Sequence, residues 1–222
     1  MKVLVVLAHP EAQSFNGALF NTAVETLQAQ GHEVVTSDLY RMCFDPVSNR
    51  GNFLAASDPD YLKLQLEEMH ASATSGFAPE LAVEQAKVAA ADLMLWQFPL
   101  WWFGLPAILK GWVDRVFAMG WAYGQGRVYE HGVVRGKRAL LSLTTGGPRE
   151  AYAPDGFNGD LQAILRPIQR GVLEFTGFSV LRPEVHWQPV RVTPAERAAW
   201  LEAWAARLRG IEQEAPIVVG RY

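Results

Sequence analysis

The chain has 222 residues, with 20 Lys+Arg against 23 Asp+Glu and a formal charge of -3. That length suits one domain over residues 1–222, and the mixed, near-neutral charge excludes the basic footprint of a nucleic-acid binder. The single cysteine, Cys43, excludes a disulfide within the chain and with it a secreted disulfide scaffold.

Residues 3–8 form a continuous apolar run with three valines, which reads as a strand buried on both faces. The run is too short to span a membrane, and His9 and Glu11 follow at once, so no signal peptide is expected and the cytoplasm is the natural location. Ser14 or Asn16 caps the next helix, whose apolar residues Leu19, Ala23 and Leu27 recur at helical spacing before Gly31 ends it. Glu33–Asp38 is the second strand. Residues 41–78 carry Pro46, Asn49, Gly51, Pro59 and Gly76 and read as a long irregular excursion with a helix near 60–69. A helix over 79–90, a strand over 93–98, a helix over 107–117 and a strand over 138–144 follow. A helix over 159–175 contains Pro167, which is expected to kink it. A last short strand covers 178–181, and Thr193-Pro194-Ala195-Glu196 has the form of a capping box opening a helix to Arg209. Strands alternating with helices predict an α/β fold: a doubly wound sheet of five parallel strands with helices on both faces.

In such a fold, ligands sit beyond the carboxyl ends of the strands, so the chemistry is sought in three loops. The first runs from His9 through Ser14, Phe15 and Asn16 into a helix, where free N–H groups and the helix dipole favour a phosphate. An ordinary capped helix would look the same. The second, Pro99-Leu100-Trp101-Trp102-Phe103-Gly104, places aromatic residues where polar ones are usual and offers flat walls for a ring; a hydrophobic plug or a subunit contact is the plain alternative. The third, Thr144-Thr145-Gly146-Gly147, allows close approach of backbone to a planar ligand, with Tyr152 a nearby phenolic donor; a turn needing positive φ is its plain alternative. No G-x-G-x-x-G, P-loop or G-x-S-x-G motif occurs, and His9-Pro10-Glu11 lacks the P-C-x-x-C partner of a zinc deaminase. The other histidines lack ligand spacing, so no metal is expected.

The stretch from Gln97 to Trp112 closely resembles the NAD(P)H:quinone oxidoreductase (DT-diaphorase-like) family, as do Ala8-His9, Ser14-Phe15-Asn16, Ser37-Asp38-Leu39-Tyr40 and Leu141 to Gly147. The likeness runs from the first strand to about Arg209 and is loosest over 41–78; the chain looks like a bacterial-type short member. The resemblance implies a flavodoxin-like fold, FAD (with FMN as the alternative), NAD(P)H as reductant, and two-electron reduction of quinones, with nitroaromatic and azo compounds as side substrates, by a ping-pong hydride route. It implies a homodimer with shared active sites. His9, Ser14, Phe15, Asn16 and Ala18 would face the phosphates and ribityl chain of the flavin. Pro99, Leu100, Trp102 and Phe103 would line its ring, and Thr144, Thr145, Gly146, Gly147 and Tyr152 would complete the cradle. Asp114 and Arg207 would reach toward the adenosine end.

Two positions depart from the family pattern. Its active-site tyrosine pair is here Tyr123 and Gln125, and the histidine that accompanies Tyr152 is here Asn158. Asn158 can donate a hydrogen bond but cannot store a proton. Tyr152, Asn158 and Tyr123 are the candidate catalytic residues. Two other readings stand beside this one. A one-electron flavodoxin-type carrier lacks support because the T-x-T-G-x-T phosphate loop is missing. A flavin-binding ancillary subunit of a potassium-efflux system is compatible with the same residues.

Overall fold

The first apolar run forms β1 (Lys2–Leu7) in a computed structural model that describes residues 1–221. Its side chains alternate between two layers. Val3 and Val5 pack with Leu19, Ala23 and Leu27 of α1 (Phe15–Ala29), whereas Leu4 and Val6 face the opposite layer. Every residue after Lys2 is buried, as expected of a strand covered on both faces.

The other strands are β2 (Glu33–Asp38), β3 (Leu93–Pro99), β4 (Arg138–Thr145), β5 (Ser179–Val180) and β6 (Glu184–Trp187). They run parallel in the order β2-β1-β3-β4-β5, and β6 also pairs with β4. The expected fifth strand is therefore two strands in succession. β5 pairs with Arg138 and Ala139, and β6 takes up the same edge at Ser142 to Thr145. Pro183 lies between them and has no N–H to give the ladder, so the pairing breaks and restarts. The sequence reading missed β6.

The remaining helices are α2 (Leu64–Thr74), α3 (Pro79–Ala90), α4 (Ala107–Val116), α5 (Leu161–Ile168) and α6 (Pro194–Arg209). Trp204 and Leu208 of α6 join α1 on one face, and Leu81, Leu109, Trp112 and Leu165 of α3, α4 and α5 cover the other. The helix expected near 60–69 starts later, because Asp58 Oδ1 accepts the N–H groups of Asp60 and Tyr61 in a turn of its own. Arg115 of α4 ties down the 41–78 excursion, donating to the Asp45 carbonyl at 2.6 Å and to Asn52 Oδ1 at 2.8 Å. Pro167 has the expected effect: α5 gives way to a π-helical turn over Gln169–Glu174, since a proline leaves a carbonyl one turn back without a donor. The capping box at Thr193 and Glu196 is formed.

After β1 the chain moves outward to β2, and β3 returns on the other side of β1. The loops leaving β1 and β3 therefore diverge, and a crevice opens between them at the carboxyl edge.

Candidate active site

Ser14 is the N-cap of α1. Its Oγ accepts the Gly17 N–H at 3.1 Å, which decides between Ser14 and Asn16. Asn16 is instead buried, 4% exposed, and crosses from the first loop to the third: its Nδ2 donates to Thr144 Oγ1 at 3.0 Å. Its Oδ1 accepts from Gln97 Nε2, on β3, at 2.9 Å. One amide thus joins the ends of the three strands. A Cβ on Gly17 would stand 2.1 Å from the Ala12 carbonyl oxygen, so a glycine there lets the first loop fold back on α1.

In the second loop Trp102 and Phe103 both take positive φ, at 50° and 57°. Bulky residues rarely adopt that conformation, and it turns Trp102 outward until it is 98% exposed. In the third loop Thr144 and Thr145 are buried, and Thr145 Oγ1 donates to the Gly147 carbonyl at 2.8 Å. Neither Gly146 nor Gly147 has a positive φ, so the turn does not need glycine for that reason. A Cβ on Gly146 would meet nothing within 4 Å, whereas one on Gly147 would stand 3.1 Å from the Tyr152 ring and 3.2 Å from Asn158 Nδ2. Gly146 thus borders open space, and Gly147 brings Tyr152 and Asn158 together.

A cleft of about 380 Å³ lies among these loops. Of the residues expected there, His9, Ser14, Phe15, Asn16, Pro99, Leu100, Trp102, Thr144, Thr145 and Gly146 line it. Phe103, Gly147, Tyr152 and Asn158 are not among its lining residues; the Phe103 and Tyr152 rings lie with centroids 6.4 Å apart. Ala18 lies one turn into α1, behind the lining. Trp101, read in the second loop as an aromatic wall though not as a flavin contact, also lines it, and the sequence reading missed Pro189 and Val190 on the loop after β6. A four-residue apolar-mixed run between Pro183 and Pro189 was the only signal for that strand and loop. A larger hollow of about 640 Å³ lies beside Tyr152, between α5, β6 and residues 217–219.

Three candidates fall elsewhere. Tyr123 and Asp114 share a separate shallow hollow of about 190 Å³ with Glu68. There Tyr123 receives a hydrogen bond from Gln65 Nε2 at 3.2 Å, and Asp114 pairs with Lys110 at 2.6 Å. Burial pushes the Glu68 carboxyl above its ordinary range, against the hydrogen bond it accepts from the Met119 N–H at 2.7 Å. Arg207, near the C-terminal end of α6, is not among the residues that line this cleft. Its guanidinium is committed to Glu184 and Glu214, each at 2.6 Å, where it ties α6 to β6 and the C-terminal segment.

His186 of β6 is buried between the Phe15 and Trp200 rings, each centroid 5.5 Å away. Burial holds its pKa below the usual histidine range, with Glu184 at 3.5 Å opposing the shift.

A family model described as a flavodoxin-like fold matches residues 1–208. A sheet of this order with its cleft at the β1/β3 crossover defines a flavodoxin-like protein, and the chain belongs to that family. Within it, the chain is 45% identical over 217 residues to the ribosyldihydronicotinamide dehydrogenase (quinone) of Pongo abelii, covering 97% of this chain and 94% of that one. It is 44% identical over 217 residues to NAD(P)H dehydrogenase (quinone) 1 of Cavia porcellus, covering 97% and 79%. A solved structure from Klebsiella pneumoniae, provisionally described as a quinone reductase, matches with a TM-score of 0.94 at 42% identity, covering 98% of this chain and 87% of that one.

Proposed function

We propose that this chain is a flavin-dependent enzyme that takes two electrons from NAD(P)H and delivers them to a quinone, and that its flavin is FAD. The observation that carries the reading is the cleft itself. Three strand-end loops meet there, aromatic side chains wall it, and Gly146 borders open space although no backbone strain requires a glycine. Those features suit a flat ring backed by main chain. Relatives at 44–45% identity over nearly the whole chain carry quinone dehydrogenase names, which supports the same reaction.

A bound flavin supplies the two-electron chemistry. The chain's own residues bind and orient. Ser14, His9 and the start of α1 offer an anion site for the phosphates, since the first helical N–H groups point that way. Pro99, Leu100 and Trp102 form the wall and Thr144, Thr145 and Gly146 the edge toward the ring, and we assign the neighbouring Phe103 and Gly147 of the same loops to the cradle as well. Tyr152 and Asn158, both held against Gly147, are neutral donors aimed at negative charge that develops on the ring edge. Tyr123 and Asp114 lie outside this cleft, and we assign them to the cleft of a second subunit in a homodimer. Arg207 is kept in the proposal as a residue that reaches toward the adenosine end of the flavin. Among the described residues no helix is long and apolar enough to cross a membrane, and we assign the enzyme to the cytoplasm.

A second reading concerns the reductant. Relatives at 45% and 44% identity carry ribosyldihydronicotinamide dehydrogenase and NAD(P)H dehydrogenase names respectively, so either reductant fits the chain. Purification, a visible spectrum, mass identification of the released flavin and steady-state turnover with a soluble quinone test both readings. NADH, NADPH and dihydronicotinamide riboside are compared as reductants. A yellow protein that turns over one of them is expected. A colourless protein that takes up neither FAD nor FMN and reduces no quinone overturns the proposal.

A further inference from the structure

Gln97 is fully buried on β3 and lines no cleft, yet it is the origin of the hydrogen-bond chain that ends at the candidate flavin site. Its Nε2 donates to Asn16 Oδ1, and Asn16 Nδ2 in turn donates to Thr144 Oγ1. The direction matters. Because Thr144 Oγ1 accepts from Asn16, its own proton is free, and no acceptor among the described residues takes it. Thr144 lines the cleft, so that proton is available there. Reversing both amides would turn the hydroxyl inward. In the arrangement seen, the unpartnered atom is Gln97 Oε1. Ser142 is in register with Gln97 on β4, and its hydroxyl is likewise buried without a partner, so a donor of the kind Oε1 lacks stands on the neighbouring strand.

We infer that Gln97 is a positioning residue that sets the polarity of this chain and so makes Thr144 a hydrogen-bond donor to the flavin. The inference rests on the flavin reading above. It requires Gln97 as an amide: an ionised glutamate there can only accept, so Asn16 must turn its N–H₂ to it, present Oδ1 to Thr144 and draw the threonine proton inward, whereas a glutamate that stays protonated donates as Gln97 does, so the cycle is read at high as well as neutral pH. Asn16→Asp has the same consequence from the middle of the chain, because a carboxylate accepts from both neighbours.

The test is a double-mutant cycle read as flavin affinity, by quenching of FAD and FMN fluorescence on addition to the apoprotein. Thr144→Val and Gln97→Glu are each expected to raise Kd about tenfold, the size of one ordinary hydrogen bond. In the Thr144→Val background Gln97→Glu is expected to add less than about twofold, because the donor it controls is already gone. Thr144→Ser keeps the hydroxyl and is expected to keep both the affinity and the sensitivity to Gln97→Glu. Additive losses in the cycle overturn the inference, since charge repulsion or disturbed packing would persist without the threonine hydroxyl. If Gln97→Glu does not fold, Asn16→Asp completes the same cycle with the same criteria. A wild-type protein that binds no flavin would instead refute the functional reading, which keeps the two failures apart.

Discussion

Gly146 and Gly147 are neighbours with opposite environments, and they separate ligand from packing. A side chain at Gly146 enters open space, so Gly146→Val is expected to leave the melting temperature of the apoprotein unchanged while flavin occupancy falls; a spectrum of the protein as purified and a thermal melt of the flavin-stripped protein check it. Full occupancy in that variant would remove the third loop from the cradle. Tyr152 is the donor that Gly147 brings close. Removing one donor aimed at developing charge costs about 2.7–4 kcal/mol in a dry, preorganised site. With Asn158 still present and the charge spread over a ring, Tyr152→Phe is expected to slow reduction of the bound flavin by less than that and to leave flavin affinity alone. Stopped-flow bleaching by NADPH measures it, and an unchanged rate would exclude Tyr152.

β6 is the element with the largest consequences for the site. Its four residues carry Glu184, which holds Arg207, and His186, which joins α1 to α6 through Phe15 and Trp200. Burial lowers the His186 pKa, so the folded chain binds the proton less readily than the unfolded one. The sign follows: this contribution is full above the ordinary histidine pKa and is lost as pH falls through it. His186→Phe keeps an aromatic ring and removes the titration. The drop in melting temperature from neutral pH to about pH 5 is expected to be smaller in that variant. An equal drop in both proteins would show that other groups set the acid limit. At the start of α6 the capping box predicts that Thr193→Ala costs about 1 kcal/mol in urea unfolding, with activity retained, because α6 is anchored by Trp204 and Leu208 rather than by its first turn.

For the whole molecule, exposed Trp102 and the distance of Tyr123 and Asp114 from their own cleft fit one arrangement: a second copy covering the carboxyl edge. A stable interface of that kind buries at least about 1,200 Å² in total. Sedimentation is expected to give a dimer at micromolar concentration, and Tyr123→Ala is expected to lower quinone turnover without lowering flavin content. A fully active monomer would sink the shared-site assignment.

The apolar runs of β1, β3 and β4 and the helical spacing of α1 and α3 were legible in the chain, because strands covered on both faces must be continuously apolar and surface helices must repeat every third or fourth residue. The three loops were legible for the same reason: each is the segment that follows such a strand, and in a parallel sheet those segments share one edge. What the chain could not reveal was any pairing set by distance in space. The split of the fifth sheet position depends on β4 offering the same edge twice, on either side of Pro183. The capture of Arg207 by Glu184 and Glu214 depends on β6 and the C-terminal segment flanking α6. The link from Gln97 through Asn16 to Thr144 spans 81 and 128 residues of separation and exists only because three strand ends meet. Local periodicity records which face a residue presents to the core, whereas hydrogen-bond partners are chosen by the packing that brings those faces together.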